Sequence, residues 1–392
     1  MRYHHLRKPK WHDRIRHPRF SLSYKLPGRP DYFLIGLIFV LIIFGLIALS
    51  SASSVESFRK YGNIYHLFWR QVLRGFLPGL VLFFLLAKID YKKWERYTVW
   101  FFVISIVLLL LVFMPGLGVS YSPAKSWINL RIFSFQPAEI VKLLLIMSLA
   151  GWFSYRGREM NRDLWNGLLP FAVMVGLISL LIILQPDLGT LVVLATIAVA
   201  VYFVAGASLL HLFLLLLGGI VSLALLILAA PYRLARLTIF LHPELDPQGI
   251  GYHINQAFLA VGSGGWLGLG FGQSRQKFAY LPEVIGDSIF AIIAEELGFF
   301  IAAALIVTFM VLVWRGFQLA AATDDDYGKF VAAGIISWYF FQAFYNIGAM
   351  IGLLPLTGVP LPFISYGGTA MMSGMAAAGI LANISSQTKT AR

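Results

Sequence analysis

Residues 32–52 read YFLIGLIFVLIIFGLIALSSA and contain no charged side chain. A helix of about 20 apolar residues is long enough to cross roughly 30 Å of hydrocarbon. Similar apolar runs recur almost to the C-terminus, and only 12% of the 392 residues are charged, against about 25% in soluble domains. The composition excludes a water-soluble globule and predicts an all-α polytopic membrane protein.

The chain contains ten apolar segments of this kind. They lie at residues 32–52, 72–88, 97–114, 138–155, 167–184, 187–206, 209–229, 287–314, 328–352 and 366–385. We therefore predict ten transmembrane helices. The break at Gln185-Pro186-Asp187 has two interpretations, a kink inside one long helix or a turn between two helices, because proline interrupts helical hydrogen bonding in both cases.

The basic residues favour an orientation with both termini in the cytoplasm. In that orientation 20 of the 31 Lys and Arg residues fall in inner segments and 11 in outer ones, as the positive-inside rule expects. Residues 1–31 are predicted to be a basic cytoplasmic tail that attracts anionic lipid headgroups, so no nucleic-acid partner is needed to explain its charge. Residues 32–386 form the predicted membrane domain, and residues 387–392 form a short cytoplasmic tail.

The predicted connection between the seventh and eighth helices, residues 230–286, is unusually long. Long loops are usually functional or disordered, and the many glycines and aromatic residues of this outer loop argue against disorder. Its apolar part, Ala257 to Phe271, is too short and too rich in glycine to span a bilayer. We expect this part to lie on or dip into the outer leaflet and to cover a cavity.

Several kinds of chemistry have no motif in this sequence. The chain has no cysteine, which excludes disulfides, thiolate metal sites and cysteine nucleophiles. Its histidines form no zinc pattern, and the P-loop, the nucleophile elbow and the dinucleotide fingerprint are all missing. We therefore expect no nucleotide cofactor, and any chemistry must come from carboxylates, amines, hydroxyls or imidazoles.

Ionisable residues near membrane depth are functional candidates, because each costs several kcal/mol unless it is paired or hydrated. Asp287 lies where the long loop meets the eighth predicted helix, so its carboxylate could cap that helix or act in catalysis. Glu295 and Glu296 lie about 12 Å further along the same helix, too far to share a small substrate group with Asp287. We expect at least one of them to pair inside the bundle.

Two further candidates lie at predicted helix starts. Glu139 and Lys142 are three residues apart, which places them on one helical face and predicts an ion pair, either structural or in contact with a polar substrate. Asp187 follows Pro186, and a proline and a carboxylate in this position are ordinary signals for the start of a helix. We interpret Asp187 as mainly structural.

Arg233 and Arg236 lie on the outer side, where the positive-inside rule disfavours them. Two guanidinium groups three residues apart suit a pyrophosphate or a carboxylate, because arginine offers forked donors. Anchoring at the membrane interface is the alternative.

Several strings of the chain together resemble the SEDS family of bacterial cell-wall polymerases, the group of FtsW, RodA and SpoVE. In order they are SSASS (50–54), SWINL (126–130), FSFQPAEIVK (133–142), QPDLG (185–189), YRLAR (232–236), DPQGIGY (246–252), Gln256, GSGG (262–265), SRQK (274–277), YLPE (280–283), DSIFAIIAEELG (287–298), NIG (346–348) and LPFISYGG (361–368). So many matches in the same order make the resemblance very specific.

The resemblance implies a ten-span peptidoglycan glycosyltransferase that polymerises lipid II on the outer face of the membrane. A class B penicillin-binding protein and other membrane proteins of the division machinery are the implied partners. The SSASS, RLAR and SRQK strings are more similar to the FtsW group than to the RodA group. This similarity implies work at the division septum, in the plasma or inner membrane, rather than in cell elongation.

The resemblance also implies roles for individual residues. Asp287 would be the catalytic base, Arg233, Arg236 and Lys277 would contact the pyrophosphate, and Glu139 and Lys142 would form the floor of the cavity and bind substrate. The matching strings add Asp187, Glu283, Tyr252, Gln256 and Ser365 as secondary candidates. A divalent cation, Mg²⁺ or Mn²⁺, could assist, although no metal site can be read from the sequence.

This chain departs from the family pattern next to its candidate base. The family usually has a His-Thr pair just before the aspartate, and here Ile285-Gly286 occupy those positions. His253, earlier in the same loop, is a candidate substitute for the missing imidazole.

Two other functions fit a polytopic protein with polar groups at broken helices. A lipid II flippase should line a path across both leaflets, whereas most candidate residues here gather on the outer side. A scaffold that only recruits division proteins should tolerate the loss of the Asp287 carboxylate.

Overall fold

The computed structural model describes residues 28–119, 126–130, 134–228 and 231–388. Most of the predicted basic tail and the last four residues lie outside this part of the chain. The α-helices of the described part are α1 (Tyr32–Ala52), α2 (Ser54–Tyr61), α3 (His66–Gln71), α4 (Leu77–Lys88), α5 (Lys92–Glu95), α6 (Thr98–Leu111), α7 (Pro137–Asn161), α8 (Leu169–Leu184), α9 (Leu188–Val204), α10 (Leu209–Leu228), α11 (Pro231–Leu241), α12 (Ile250–Ser263), α13 (Ile289–Ala322), α14 (Asp326–Met350) and α15 (Gly368–Gln387).

Short irregular elements complete the chain. A π-helical turn, Val72–Phe76, joins α3 to α4, a second one, Leu164–Leu168, precedes α8, and a 3₁₀ turn, Pro243–Leu245, follows α11. Before α7, strands β1 (Gly118–Val119), β2 (Trp127–Asn129) and β3 (Ser134–Phe135) form a small antiparallel sheet in the order β1-β2-β3.

Each of the ten predicted segments contains a helix in the structure. Within the described ranges, seven helical segments are long and apolar enough to cross a membrane, while α6 and α9 are apolar but shorter. The chain is thus a multi-pass helical membrane protein. At residues 185–187 the structure has a turn between α8 and α9, which pack against each other, so the kink interpretation is wrong.

The core of the bundle lies around α14 and α7. In their most apolar windows 78% and 72% of the residues are buried, against 6% for α10. Helix α15, rich in alanine and glycine, packs along α4. The two helices approach so closely that a Cβ atom at Gly379 would lie 2.5 Å from the carbonyl oxygen of Phe83.

The predicted outer loop is largely helical, because it contains α11 and α12. After α12, a glycine-rich segment packs onto α13 where Gly298, with φ of 76°, breaks that helix. The break frees helical backbone groups, and the segment satisfies four of them: Leu269 N donates to Glu295 O (3.0 Å), Gly270 N to Glu296 O (3.0 Å), Phe299 N to Gly265 O (2.9 Å) and Phe300 N to Trp266 O (3.4 Å). The loop is therefore part of the bundle.

The two ends of the described chain lie side by side. Gly28 N donates to the carbonyl oxygen of Ser386 (2.6 Å), and Asp31 N donates to Ser385 Oγ (3.0 Å). The carboxylate of Asp31 also pairs with Arg315 near the end of α13, at 2.7 Å. Consequently the start of α1, the end of α15 and the end of α13 share one side of the bundle, and Asp287, before α13, lies at the other.

Candidate active site

Asp287 belongs to a turn whose backbone is held by two other segments. Its three consecutive carbonyl oxygens accept hydrogen bonds as follows: Ile285 O from Tyr366 N (2.8 Å), Gly286 O from Ser365 Oγ (2.6 Å) and Asp287 O from Asn346 Nδ2 (2.8 Å). Asn346 belongs to α14, and Ser365 precedes α15. The secondary candidate Ser365 therefore positions the turn, and none of these bonds uses the Asp287 side chain.

The carboxyl group of Asp287 is not a helix cap. The residue in the cap position of α13 is Ser288, and Asp287 Oδ1 is buried with no hydrogen-bond partner within the described ranges. Burial raises the pKa of Asp287 to about 7, the charge of Glu283 adds to this rise, and Ser288 and Arg236 oppose it. A carboxyl group with this pKa is partly ionised at neutral pH and can exchange a proton there.

His253, the substitute imidazole considered from the sequence, lies next to this turn. Its Nε2 atom is 2.8 Å from Ser288 Oγ, and that hydroxyl donates to the carbonyl oxygen of Pro282 at 2.8 Å. Burial lowers the pKa of His253 to about 4, so the ring is neutral at pH 7. Ile285 is buried and Gly286 has no side chain, which leaves His253 as the imidazole of this site.

The two arginines predicted on α11 differ in their surroundings. Arg236 is exposed, and its charge is near enough to Asp287 to lower the pKa of that carboxyl group. Arg233 instead donates from Nη1 to the carbonyl oxygen of Leu226 in α10, at 2.9 Å. The charge of Arg236 thus acts on Asp287, whereas Arg233 is bonded to α10.

Further basic residues reach the site from α2, α3 and the π-helical turn. Burial raises the pKa of Tyr366, and the charges of Arg70 and Arg74 oppose this rise. The hydrogen bond from Lys60 to Glu56 raises the pKa of Lys60, and the charge of Glu283 adds to it. The charges of basic side chains therefore act on Glu283 and Tyr366 as well as on Asp287, at the end of the bundle opposite the chain ends.

A buried glutamine holds Arg70 and Arg74 in this place. Gln71 Oε1 accepts a hydrogen bond from Gly367 N at 3.1 Å, directly after Tyr366. A Cβ atom at Gly368 would lie 3.1 Å from the carbonyl oxygen of Arg74, so the start of α15 touches the π-helical turn. Irregular turns of this kind are frequent at functional sites.

The predicted ion pair of Glu139 and Lys142 is confirmed. Lys142 Nζ lies 2.7 Å from Glu139 Oε1, and both side chains are almost fully buried. The ammonium also donates to Gln342 Oε1 at 2.7 Å and lies over the ring of Trp338. Glu139 Oε2 is buried without a partner among the described residues, so a polar acceptor is left open beside the pair.

One face of α14 connects this ion pair to the Asp287 turn. Trp338, Gln342 and Asn346 follow one another at intervals of four residues, which places them on the same helical face. Gln342 Nε2 donates to Pro360 O at 2.8 Å, and Asn346 Nδ2 donates to both Val359 O and Asp287 O at 2.8 Å. The ion pair and the candidate base therefore share one rigid support.

Lys277 occupies a buried network away from Asp287. Its ammonium donates to Glu296 Oε1 (2.9 Å), Gly272 O (2.7 Å) and Ser51 Oγ (3.1 Å). This geometry does not support the predicted pyrophosphate contact, because all three of its N–H bonds are already used. The expectation that at least one of Glu295 and Glu296 pairs inside the bundle is confirmed, because Glu296 pairs with Lys277.

Glu295 and Glu296 also hold the loop before the site. Glu295 accepts hydrogen bonds from Ser274 Oγ, Arg275 N and Gln276 N, and Glu296 accepts from Gly272 N, Ser274 N and Ser51 Oγ. The two carboxylates thus act as anchors for residues 272–277.

The other secondary candidates have simple positions. Asp187 caps α9, with Oδ1 accepting from Thr190 N at 3.0 Å, as a structural helix start predicts. Tyr252 and Gln256 are half-buried on α12, on the same side as His253. Glu283 is exposed and has φ of 49°. Its carbonyl oxygen accepts hydrogen bonds from Gly286 N and Ser288 N. Glu283 therefore helps to form the turn with its backbone and adds a negative charge next to Asp287 with its side chain.

Two clefts adjoin these residues. A narrow one beside Asp287 is also lined by Asn346, Met350 and Thr357. A wider, open groove of 540 Å³ runs along α12 and is lined by Asn255, Phe258, Leu259, Gly262 and Ser263.

Sequence reasoning assigned no role to Ser288, Asn346, Arg70 or Arg74. Only the two arginines had a signal that could have been used, since they belong to the minority of basic residues on the outer side. Ser288 and Asn346 are ordinary polar residues in the sequence, and their role follows from contacts between distant segments.

The fold and this one-sided group of carboxyl, imidazole and guanidinium groups define a polytopic membrane protein with a candidate active site at one end of the bundle. The sequence pattern of the FtsW/RodA/SpoVE family, described as cell cycle protein, matches residues 32–390. The chain belongs to the FtsW/RodA/SpoVE family, and the resemblance seen in its sequence is confirmed.

Individual relatives cover nearly the whole chain. Stage V sporulation protein E of Bacillus subtilis is 41% identical over 356 residues, which are 91% of this chain and 97% of that protein. A probable peptidoglycan glycosyltransferase FtsW of Trichlorobacter lovleyi is 37% identical over 364 residues, which are 92% of this chain and 94% of that one.

Solved structures show the same fold. A chain from the structure described as structural coordination of polymerization and crosslinking by a peptidoglycan synthase complex matches with a TM-score of 0.74 at 28% identity, over 92% of this chain and 99% of that chain. The rod shape determining protein RodA of Thermus thermophilus matches with a TM-score of 0.68 at 27% identity, over 92% and 98%.

Proposed function

We propose that this chain is a peptidoglycan glycosyltransferase that polymerises lipid II. The acceptor sugar's GlcNAc 4-hydroxyl attacks the anomeric carbon of a donor disaccharide-peptide, a glycosidic bond forms, and the lipid pyrophosphate leaves. A direct displacement inverts the anomeric carbon. The observation that carries the proposal is the Asp287 carboxyl group, unpaired at Oδ1 and held on a fixed turn in a family whose members include proteins named for this activity.

Asp287 is the general base in this reaction. Its carboxylate accepts the proton of the attacking hydroxyl, a role for which a pKa close to the working pH is favourable. The turn keeps its backbone in place through the bonds from Asn346, Ser365 and Tyr366. Such preorganisation brings the base within reach of the substrate without a further ordering cost.

The leaving pyrophosphate is stabilised by the basic residues around the turn. Arg236 is exposed near Asp287, and Arg70 and Arg74 act on the neighbouring Tyr366. Guanidinium groups suit this task because they donate two hydrogen bonds to phosphate oxygens. Arg233 joins them if its bond to Leu226 opens, whereas Lys277 stays in its structural network. The Glu139–Lys142 pair forms the floor of the site.

A divalent cation, Mg²⁺ or Mn²⁺, is proposed as an assistant and not as a resident cofactor. Within the described ranges no three His, Asp or Glu side chains converge as metal ligands. The protein residues alone do not fit a metal site, so any cation would be bound chiefly by the phosphate oxygens of the donor.

We further propose ten membrane crossings with both termini in the cytoplasm. The contacts of Gly28 and Asp31 with Ser386 and Ser385 support an even number of crossings, and the basic residues favour the orientation. Because the chain has no cysteine, single cysteines introduced at Phe58 and Lys93 can be labelled from either side. Labelling of Phe58→Cys from outside and Lys93→Cys from inside is expected, and the opposite pattern would reverse the topology.

The proposed partners are a class B penicillin-binding protein and other membrane proteins of the division machinery, and the proposed place of work is the septum. The solved chain that matches with a TM-score of 0.74 comes from a complex of polymerization and crosslinking, which supports a transpeptidase partner. The proposed division role rests on the FtsW-like SSASS, RLAR and SRQK strings of the sequence, and the relatives of this chain include both FtsW-named proteins and stage V sporulation protein E.

The decisive experiment is polymerisation of fluorescent lipid II by the purified protein, alone and with its cognate penicillin-binding protein. Glycan ladders are expected from the wild type and not from Asp287→Asn. The matched control is Asp326→Asn, which removes an exposed carboxylate from the first turn of α14 at the opposite end and should leave polymerisation unchanged.

Two outcomes would overturn the proposal. Normal ladders from folded Asp287→Asn would remove the base from this residue. An absence of ladders from every variant, in vesicles across which the protein moves lipid II, would favour the flippase.

A further inference from the structure

The hydroxyl group of Ser288 is used in an unusual way for its position. Serine at a helix N-cap normally accepts a hydrogen bond from the first turn of the helix. In α13 the Ser288 side chain makes no such bond to the described residues, although it is completely buried. Its oxygen instead lies 2.8 Å from His253 Nε2 and 2.8 Å from the carbonyl oxygen of Pro282. The hydroxyl group of Ser288 therefore bonds to His253 and Pro282 and does not cap the helix.

The hydrogen-bond partners of Ser288 determine which nitrogen of His253 carries the proton. A carbonyl oxygen has no proton, so the single proton of the Ser288 hydroxyl goes to Pro282 O. His253 Nε2 must then carry a proton and donate it to Ser288 Oγ. The imidazole is therefore a neutral ring protonated at Nε2, a tautomer assigned from its hydrogen-bond partners.

We propose that His253 is a positioning residue for the Asp287 base, acting through the hydroxyl group of Ser288. Because the imidazole donates to the serine oxygen, that hydroxyl can only donate onward, to Pro282 O or to the adjacent Asp287 carboxylate. The inference rests on the proposed role of Asp287 as the base. In this chain the imidazole of the site comes from α12, because Ile285 and Gly286 have no imidazole.

The acceptor of the Ser288 hydroxyl therefore depends on whether Asp287 is ionised. It points to Asp287 while the carboxylate is ionised and to Pro282 O after the carboxyl group has taken the proton of the acceptor sugar. A hydrogen bond to the charged form favours that form. His253 therefore keeps Asp287 ionised at a lower pH than burial alone would allow.

Other charges act on Asp287 from the surrounding elements. Glu283 on the same turn raises its pKa, and Arg236 on α11 lowers it. Lys60 on α2 faces Glu283, while α14 offers only the neutral amide of Asn346. The pKa of His253 itself, lowered by burial to about 4, keeps the ring neutral over the pH range of an activity assay. A change in the pH profile on replacing His253 therefore does not report titration of the imidazole, and we assign it to Asp287.

The test is the pH dependence of kcat/KM for lipid II polymerisation by the full chain with its penicillin-binding protein. Gln places an N–H donor near the position of Nε2, and Asn places one near Nδ1, so His253→Gln and His253→Asn form a matched pair. We expect the Gln variant to keep the wild-type profile. We expect the Asn and Ala variants to lose about tenfold in kcat/KM at neutral pH and to shift the acid limb upward by up to about one pH unit.

Ser288→Ala should give the same shift, and His253→Ala combined with it should add little more, because both act through one hydroxyl. His242→Ala, which removes an exposed histidine of the same loop, should leave the profile unchanged. An acid limb that stays in place when His253→Ala lowers activity would overturn the inference and leave the residue structural. The inference would also be overturned if the fold-loss of kcat/KM in the double variant equalled the product of the losses in the two single variants.

These outcomes are separate from failure of the proposed function. Activity in Asp287→Asn would refute the base, whatever the His253 variants do. An inactive Asp287→Asn with an unchanged profile in folded His253→Asn would refute only the positioning role.

Discussion

The buried network around Lys277 and the turn around Asp287 each place carboxylates near the start of α13, yet they use them in opposite ways. Glu295 and Glu296 accept hydrogen bonds on all four of their oxygens, from loop amides, hydroxyls and an ammonium. Asp287 has its carbonyl oxygen bonded to Asn346 Nδ2 and one side-chain oxygen without a partner in the described part of the chain. Satisfied carboxylates anchor the loop, and the unsatisfied one is left for a substrate.

The largest expected effect is on activity at the unsatisfied carboxylate. Asp287→Asn should reduce lipid II polymerisation by about 10²–10⁴-fold, the range for losing a general base, while the purified protein stays folded. The measurement is the initial rate of glycan formation at saturating lipid II. A fall of less than tenfold would show that an unpaired side-chain oxygen does not identify the catalytic carboxylate.

In the satisfied network, removal of one partner should chiefly reduce stability. Lys277→Met or Glu296→Gln should each lower the free energy of unfolding by about 3–5 kcal/mol, because either leaves a buried charge or its donors uncompensated. The double variant should be less damaging than the sum of the two. Thermal unfolding in detergent measures all three, and a simple sum would contradict direct pairing.

Replacing the basic residues around the Asp287 turn should have a smaller effect on activity. Arg74→Gln and Arg236→Gln should each raise KM for lipid II about fivefold to tenfold, since an exposed hydrogen bond to a charged group contributes about 1 kcal/mol. Lys93→Gln on the termini-bearing side is the control. An unchanged KM in both arginine variants would move the pyrophosphate site elsewhere.

A further effect, on stability and not on activity, is a dependence on pH. The pKa of Asp287 is raised to about 7 in the folded state, so between about pH 4 and 7 the folded protein binds the proton that the unfolded chain has lost. This contribution is fully present below about pH 4 and is lost as the pH rises through 7, with a slope of at most about 1.4 kcal/mol per pH unit.

Asp287→Asn removes this dependence. Its melting temperature should therefore exceed that of the wild type at pH 8 and approach it near pH 5. A lower melting temperature at pH 8 would mean that the ionised carboxylate is stabilised in the folded protein by a partner.

Local patterns predicted much of this protein correctly. Each of the ten segments located by hydropathy contains a helix, the spacing of Glu139 and Lys142 predicted their ion pair, and Pro186 with Asp187 predicted the start of α9. Each of these depends on residues close in sequence, whose relative position in a helix is set by helical geometry.

Long-range contacts decided the rest. Lys277 and Arg236 look alike as outer cations in the sequence, but one is enclosed by Glu296 and Ser51 while the other is exposed beside Asp287. The surroundings of Lys277 do not support the expected pyrophosphate contact, because a lysine's role depends on which acceptors surround its ammonium.

The sequence by itself determined that this chain is a helical membrane protein of a recognisable family, because apolar length and ordered motifs are properties of the linear chain. Only the tertiary structure decided which carboxylate is left unpaired and which imidazole stands beside it. His253 and Ser288 are 35 residues apart, and the packing of α12 against α13 brings them together.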